Sequence, residues 1–230
     1  MKYEQTEVNS AALESGSITS FHGLPIYKIV LVGDAAVGKT AFINRHLTGE
    51  FREEYVPTMD VEVTEQLHFD TDRRGGILFN VWDIPSARSA DAAEYLNNAD
   101  AAIIVFDLAR NATHDKAIEW HRNLTLNASN CSIIILCGNK MDLDGQNHET
   151  KAREPPSIIA QQTCGNAQYY AISTKFGHNI EAPFLRLCQH FLADPSLKFA
   201  SHCGLPMAGD RDTEIDWECA AKSPLPDEDD

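Results

Sequence analysis

Residues 27–32 form a mostly apolar, β-branched run that stops at Gly33, and Gly33-Asp34-Ala35-Ala36-Val37-Gly38-Lys39-Thr40 follows at once. This junction constrains the fold more than any other part of the chain. A glycine-bounded run of that length reads as a strand buried on both faces, and the helical stretch 40–47 after it makes a strand–turn–helix unit. The pattern recurs. Runs at 101–106 and 133–137, with a weaker one at 169–172, alternate with helical stretches at 115–126, 157–163 and 180–192. In the last helix Ile180, Phe184, Leu187, Cys188 and Phe191 fall near one face at about 3.6-residue spacing. Strands alternating with helices require crossover connections, hence an α/β chain with a mostly parallel sheet and helices on both faces. Residues 67–69 and 77–82 flank a turn at 70–76, which predicts a hairpin and one antiparallel edge strand in a six-stranded sheet.

Composition narrows the function. The 230 residues are 43% hydrophobic and 23% charged, enough apolar surface for a packed core. The net charge is −15 with no stripe of Lys and Arg, which argues against direct nucleic-acid binding. The longest apolar runs fall well short of the ~20 residues that a membrane-spanning helix needs. The six cysteines, at 131, 137, 164, 188, 203 and 219, form no C-x-x-C pair and have no histidines at zinc spacing. They read as reduced thiols of a cytosolic or nuclear protein. The start resembles no signal peptide and the end, Asp227-Glu228-Asp229-Asp230, is no prenylation box, so a soluble chain without a membrane anchor is expected. Three segments follow: a flexible extension at 1–24, a domain at 25–194, and an acidic tail at 195–230. Residues 210–230 of that tail carry nine acidic and two basic side chains. His114, His121 and His148 are scattered without a nucleophile or metal pattern and read as surface or core histidines.

The string from Gly33 to Thr40 fits G-x-x-x-x-G-K-[ST] in the required context, after a strand and before a helix. Gly33 and Gly38 let the loop turn so tightly that backbone N–H groups of Asp34, Ala35, Ala36 and Val37 can face phosphate oxygens. The helix start, with Ala41 in its first turn, adds a positive dipole end. Lys39 supplies a point charge for the β- and γ-phosphates, and Thr40 a hydroxyl for Mg²⁺. An ordinary strand–helix turn is the alternative, and a second motif weighs against it.

That motif is Asn139-Lys140-Met141-Asp142, directly after the run ending at Cys137-Gly138. A carboxylate there can accept two parallel hydrogen bonds from guanine N1–H and N2–H₂, a donor pair that adenine lacks. Asp142 therefore selects guanine and disfavours an ATP-driven activity. Asn139 can reach the base and neighbouring loops, the Lys140 stem can cover the ring, and Ser173-Thr174-Lys175 can offer a backbone N–H to the guanine oxygen. Asp83 ends the strand 77–82, where a carboxylate would reach Mg²⁺, and Thr58 lies in an irregular stretch from which its hydroxyl can sense metal and γ-phosphate.

These residues resemble the Ras-like small GTPases, and among them the Ran GTPases of nuclear transport. The strings that carry the resemblance are Arg45-His46-Leu47-Thr48-Gly49-Glu50-Phe51, Tyr55-Val56-Pro57-Thr58, Val61-Glu62-Val63, Phe79-Asn80-Val81-Trp82-Asp83, Leu136-Cys137-Gly138-Asn139-Lys140, Gln168-Tyr169-Tyr170 and the acidic end at 225–230. The resemblance implies a P-loop NTPase fold of the small G-domain type, GTP or GDP held with Mg²⁺, and switch segments at 51–59 and 84–97. It implies that Phe51 lies beside guanine and that Tyr55 and Thr58 belong to the first switch. It also implies importin- and exportin-type receptors, Ran-binding proteins and an exchange factor as partners, a monomer, and residence in nucleus and cytoplasm.

Some positions depart from the family pattern. Asp83-Ile84-Pro85-Ser86-Ala87 stands where the family has Asp-Thr-Ala-Gly-Gln. The missing Gln amide orients the attacking water in this chemistry, and Ala87 has no polar group to replace it. Ser86 keeps the N–H that meets the γ-phosphate but tolerates fewer backbone angles than Gly, and Pro85 fixes φ beside it. Ala35 and Ala36 replace two glycines, and a Cβ at Ala35 projects toward the γ-phosphate. The expectation is a GTP-binding protein without a catalytic residue, whose hydrolysis of GTP to GDP and phosphate is weak or absent. Two rivals are an active GTPase switch that positions water by another group, and an interaction protein that no longer holds nucleotide. The family's basic cluster before the last strand is replaced by uncharged Gln161-Gln162-Thr163-Cys164, so charge-driven docking of the tail is not expected.

Overall fold

The computed structural model describes residues 18–19, 23–87, 92–143 and 167–200. The elements in chain order are β1 (Ile18–Thr19), β2 (Pro25–Gly33), α1 (Lys39–Thr48), β3 (Glu62–Thr71), β4 (Gly75–Asp83), α2 (Ala92–Leu96), β5 (Ala101–Asp107), α3 (Ala112–Asn127), β6 (Ile133–Asn139), β7 (Gln168–Ala171) and α4 (Ala182–Phe191). The main sheet runs β3-β4-β2-β5-β6-β7. Every neighbouring pair in it is parallel except β3 with β4, the expected hairpin at the edge. This is the six-stranded small G-domain fold that the alternation of strands and helices implies. The two-residue β1, inside the stretch read as an extension, adds an antiparallel pairing to the start of β2.

The continuous apolar runs of β2 and β5 are explained by two cores, one on each face. Ile29, Leu31, Ile103 and Val105 point to the side covered by α1 and α4, where Phe42, Phe184 and Leu187 pack. Val30, Val32, Ile104 and Phe106 point to the other side, against Trp120 and Leu124 of α3 and Leu96 of α2. Alternate residues of each central strand thus serve opposite cores, and neither face is left for polar residues.

Parallel strands carry their carboxyl ends to one edge, and here that edge gathers Gly33, Asp83, Asp107 and Asn139. After β2 the chain first goes to one side, for β4, and later to the other, for β5. A crevice opens where the order reverses.

Two differences from the sequence reading stand out. Helix α2 has five residues and no periodicity long enough to announce it. The helical stretch read at 157–163 lies outside the described residues. The chain stays packed past 194: Leu197 is buried, Phe199 stacks on Phe69 at 5.2 Å, and the amides of Asp72 and Ala200 donate to Lys198 O and Asp70 O. The segment up to Ala200 therefore seals the tip of the β3–β4 hairpin. Among the described residues no helix is long and apolar enough to cross a membrane.

One polar side chain sits within the first core. His46 of α1 is buried among Phe42, Phe69 and Phe184. Its Nε2 donates to Ile180 O at 3.1 Å, while Nδ1 has no partner. Burial holds its pKa down, to about 4 from an ordinary 6.5. The unfolded chain therefore binds a proton that the folded chain refuses, so this contribution is intact above pH 6.5 and is lost as pH falls toward 4. The protein is expected to lose about 2 kcal/mol between pH 7 and pH 5 through this residue alone. Urea midpoints at the two pH values should separate less in His46→Leu than in the parent, and equal separations would assign the acid sensitivity elsewhere.

Candidate functional site

The crevice is a cleft of about 850 Å³. Its floor is the turn between β2 and α1. Gly33 and Gly38 take φ of 149° and 97°, angles that L side chains rarely adopt. A Cβ at Gly33 would strike the carbonyl of Val105, and one at Gly38 would come within 2.5 Å of Asn139 Nδ2. Helix α1 starts at Lys39 with no acidic residue in its first turn and no side chain capping its amides. That leaves the helix N-terminus ready for an anion.

Lys39 is buried, and its Nζ donates to Gly33 O at 3.1 Å and Asp34 O at 2.9 Å. It forms no ion pair among the described residues. Burial lowers its pKa, and the charges of Asp83 and Asp34 partly offset this. An ammonium with two of three donors on carbonyls has one left for a phosphate oxygen.

The oxygen atoms beside it are organised for a cation. Thr40 Oγ1 lies 2.8 Å from Thr58 Oγ1 and donates to Asp83 Oδ2. The second oxygen, Asp83 Oδ1, is buried without a hydrogen-bond partner. Burial pushes the Asp83 carboxyl up, against the lowering effects of the Thr40 hydrogen bond and Lys39. An orphaned carboxylate oxygen next to two hydroxyls fits Mg²⁺, a hard cation that takes oxygen ligands and keeps water.

At the opposite end Asn139 ties the loops together. Its Nδ2 donates to Val37 O at 2.8 Å, and its Oδ1 accepts from the amide and hydroxyl of Thr174, both at 3.0 Å. Asp142, on the short turn Met141–Leu143, has Oδ1 held by the Ser173 hydroxyl at 2.6 Å. Lys140 crosses to Ala36 O at 2.9 Å.

A family model described as the Ras family matches residues 28–193. The chain belongs to the Ras family. It is a small GTP-binding protein, and the polar groups of the cleft divide accordingly into a phosphate end and a base end.

The structure brings most of the anticipated residues of this Ras-family chain together on that cleft. Ala35, Ala36, Gly38, Lys39, Thr40 and Ala41 line the phosphate end, with Ser86 there as well. Phe51, Tyr55 and Thr58 line it from the irregular stretch after α1. Asn139, Lys140, Asp142, Thr174 and Lys175 line the base end. Four others stand behind the lining. Gly33 makes the turn, Asp34 supplies its carbonyl to Lys39, the Val37 side chain is fully buried in the first core, and Ser173 orients Asp142. Asp83 also lies behind, reaching the cleft through Thr40. Ala87 is exposed at the end of this segment.

Sequence reasoning missed some members. Pro85 and Leu143 line the cleft, and Glu53 forms an ion pair with Lys175 at 2.7 Å between the first switch stretch and the base loop. Asp107 and Arg110 are the larger omission. The only local signal was a charged pair three residues apart at the end of a buried strand.

Asp142→Ala is expected to weaken GTP at least about a hundredfold while leaving weak ATP binding unchanged, as for a base edge that has lost its matched acceptor. Competition against a fluorescent GTP analogue measures both. Asp83→Asn is expected to raise the Mg²⁺ concentration that retains nucleotide by about tenfold or more, since one charge-assisted contact is lost. Nucleotide release followed across a Mg²⁺ titration gives that number, and an unshifted midpoint would remove Asp83 from the metal site.

Proposed function

We propose that this chain is a Ran-type GTP-binding protein of nucleocytoplasmic transport that holds GTP with Mg²⁺ and hydrolyses it poorly. The Ran-type assignment is supported by the strings from Arg45 to Phe51 and from Phe79 to Asp83, and by the acidic end. The reading of poor hydrolysis is carried by one observation. Ala35 and Ser86 line the same end of the cleft, next to Lys39 and Thr40, where a family member has two glycines. The methyl group of Ala35 stands where an attacking water or an incoming arginine needs room. Beyond Ser86, Ala87 offers no amide to hold that water. Arginine assistance and water positioning together supply ~10⁵-fold in this chemistry, so losing both leaves a bound triphosphate that persists.

Such a protein acts as a binding module near one state. Its partners are importin- and exportin-type receptors, Ran-binding proteins and an exchange factor, and it works as a monomer in nucleus and cytoplasm. The decisive measurement is single-turnover hydrolysis by GTP-loaded protein, with and without a Ran-type activator, paired with capture on immobilised importin- and exportin-type receptors. Loaded protein is expected to keep its GTP for hours and to be captured in the GTP form and released in the GDP form. Hydrolysis within seconds in the presence of the activator would overturn the stalled reading, and equal receptor capture of both forms would overturn the transport role.

A further inference from the structure

The carbonyls of Ala35 and Ala36 are both bonded by cationic side chains from outside the phosphate loop. Arg110 Nη2 donates to Ala35 O at 2.7 Å, and Lys140 Nζ donates to Ala36 O at 2.9 Å. Both cations are anchored on one carboxylate. Asp107 Oδ2 lies 3.0 Å from Arg110 Nε and 2.8 Å from Lys140 Nζ, and Asp107 Oδ1 accepts the amide of Ala109 at 2.9 Å. Asp107 is only 2% exposed and its backbone is pinned by Thr113, whose hydroxyl accepts the Asp107 amide. The base of this arrangement is therefore rigid.

We infer that Arg110 is a positioning residue for GTP, a clamp that turns the Ala35 carbonyl away from the cleft and so keeps the loop's N–H groups aimed at the phosphates. The need for it is visible in the backbone. Ala36 sits at φ 58°, a left-handed conformation that an L residue adopts at a cost of about 1 kcal/mol, whereas glycine would adopt it freely. A peptide plane flanking a strained residue relaxes by rotating, and rotation would swing a carbonyl oxygen toward the phosphates. Arg110 opposes that rotation by holding the oxygen from behind. A guanidinium spans the two tasks because its Nε and Nη2 point in different directions from one planar fork. A lysine at this position would have to serve both from a single nitrogen, as Lys140 Nζ does for Asp107 and Ala36 O. Asp107 matters in the same way, since without it neither cation is fixed in place.

This inference rests on GTP occupying the cleft but not on slow hydrolysis, and it is read by dissociation instead. Protein loaded with a fluorescent GTP analogue is chased with excess GTP at constant Mg²⁺, for the parent, Arg110→Ala and Arg110→Lys. Arg110→Ala is expected to release analogue about tenfold faster, the loss of one charge-assisted hydrogen bond. Arg110→Lys should fall between the two, and because Asp107 keeps Lys140 as a partner in every variant, melting temperatures of nucleotide-free protein should spread far less than the release rates. Release within twofold of the parent in Arg110→Ala would overturn the clamp. So would release rates that simply follow the melting temperatures across the three proteins, which would reduce Arg110 to a charge partner of Asp107. Failure of the parent to retain any analogue would instead overturn GTP binding itself, a result distinct from an unchanged rate in the variant.

Discussion

A buried ammonium with no counter-ion in contact among the described residues is the constraint around which this protein is arranged. Lys39 lies at the floor of the cleft with two carbonyl oxygens as its only hydrogen-bond acceptors among the described residues. Carbonyl dipoles soften the cost of burying a charge but do not cancel it, and its lowered pKa records the strain. A polyanion supplies what is missing. The same argument holds with opposite sign for Asp83, whose second carboxylate oxygen is buried without a partner. A nucleoside triphosphate with a divalent cation satisfies both orphans at once, the phosphate answering Lys39 and the metal answering Asp83. The geometry of the loop, with its glycine turns and uncapped helix end, adds dipoles of the right sign to the same place.

Much of this was legible from local pattern because its causes are local. The unbroken apolar runs at 101–106 and 133–137 became strands because each is buried on both faces, and the residues around Gly33 and Gly38 became a turn because a side chain at either glycine would collide. Asn139, Lys140 and Asp142 could be placed because strand ends in a parallel sheet share one edge. What remained hidden depends on contacts distant in sequence. No pattern in 195–200 announces that Phe199 will stack on Phe69, because the partner is some 130 residues away. Helix α2 is too short for a period to show, and the β1 pairing involves two residues. Arg110 looks like a solvated charge in the string Asp107-Leu108-Ala109-Arg110, and only the fold reveals that Ala35 lies within its reach.

Asn139 shows how the two ends of the cleft are coupled. One side chain bonds Val37 O on the phosphate side and the Thr174 amide on the base side. It is buried, so both bonds are made in a low-dielectric setting where an unmade one is costly. Displacement of the phosphate loop therefore cannot leave the base loop unaffected. The Cβ test at Gly38 makes the same point sterically, since any side chain there would be forced against the Asn139 amide. Base and phosphate recognition are in this sense one rigid object rather than two independent pockets.

The alanines of the loop belong to that object as well. Replacing flexible glycine by alanine at 35 and 36 narrows the range of backbone states, and Ala36 sits where alanine is strained. Strain of this kind persists only when surrounding contacts over-determine the conformation. Two cations from other elements, Arg110 and Lys140, meet that requirement by bonding the two adjacent carbonyls. On the opposite wall Pro85 is buried and fixes its own φ beside Ser86. Both walls of the terminal-phosphate end are thus stiffer than glycine would make them. A stiff wall favours retention, because a preformed cradle loses little entropy on binding, and it opposes the rearrangement that brings a water molecule into line. On the proposed reading, tight holding and slow chemistry have a common origin in these substitutions: the residues that stall hydrolysis are also those that keep the triphosphate in place.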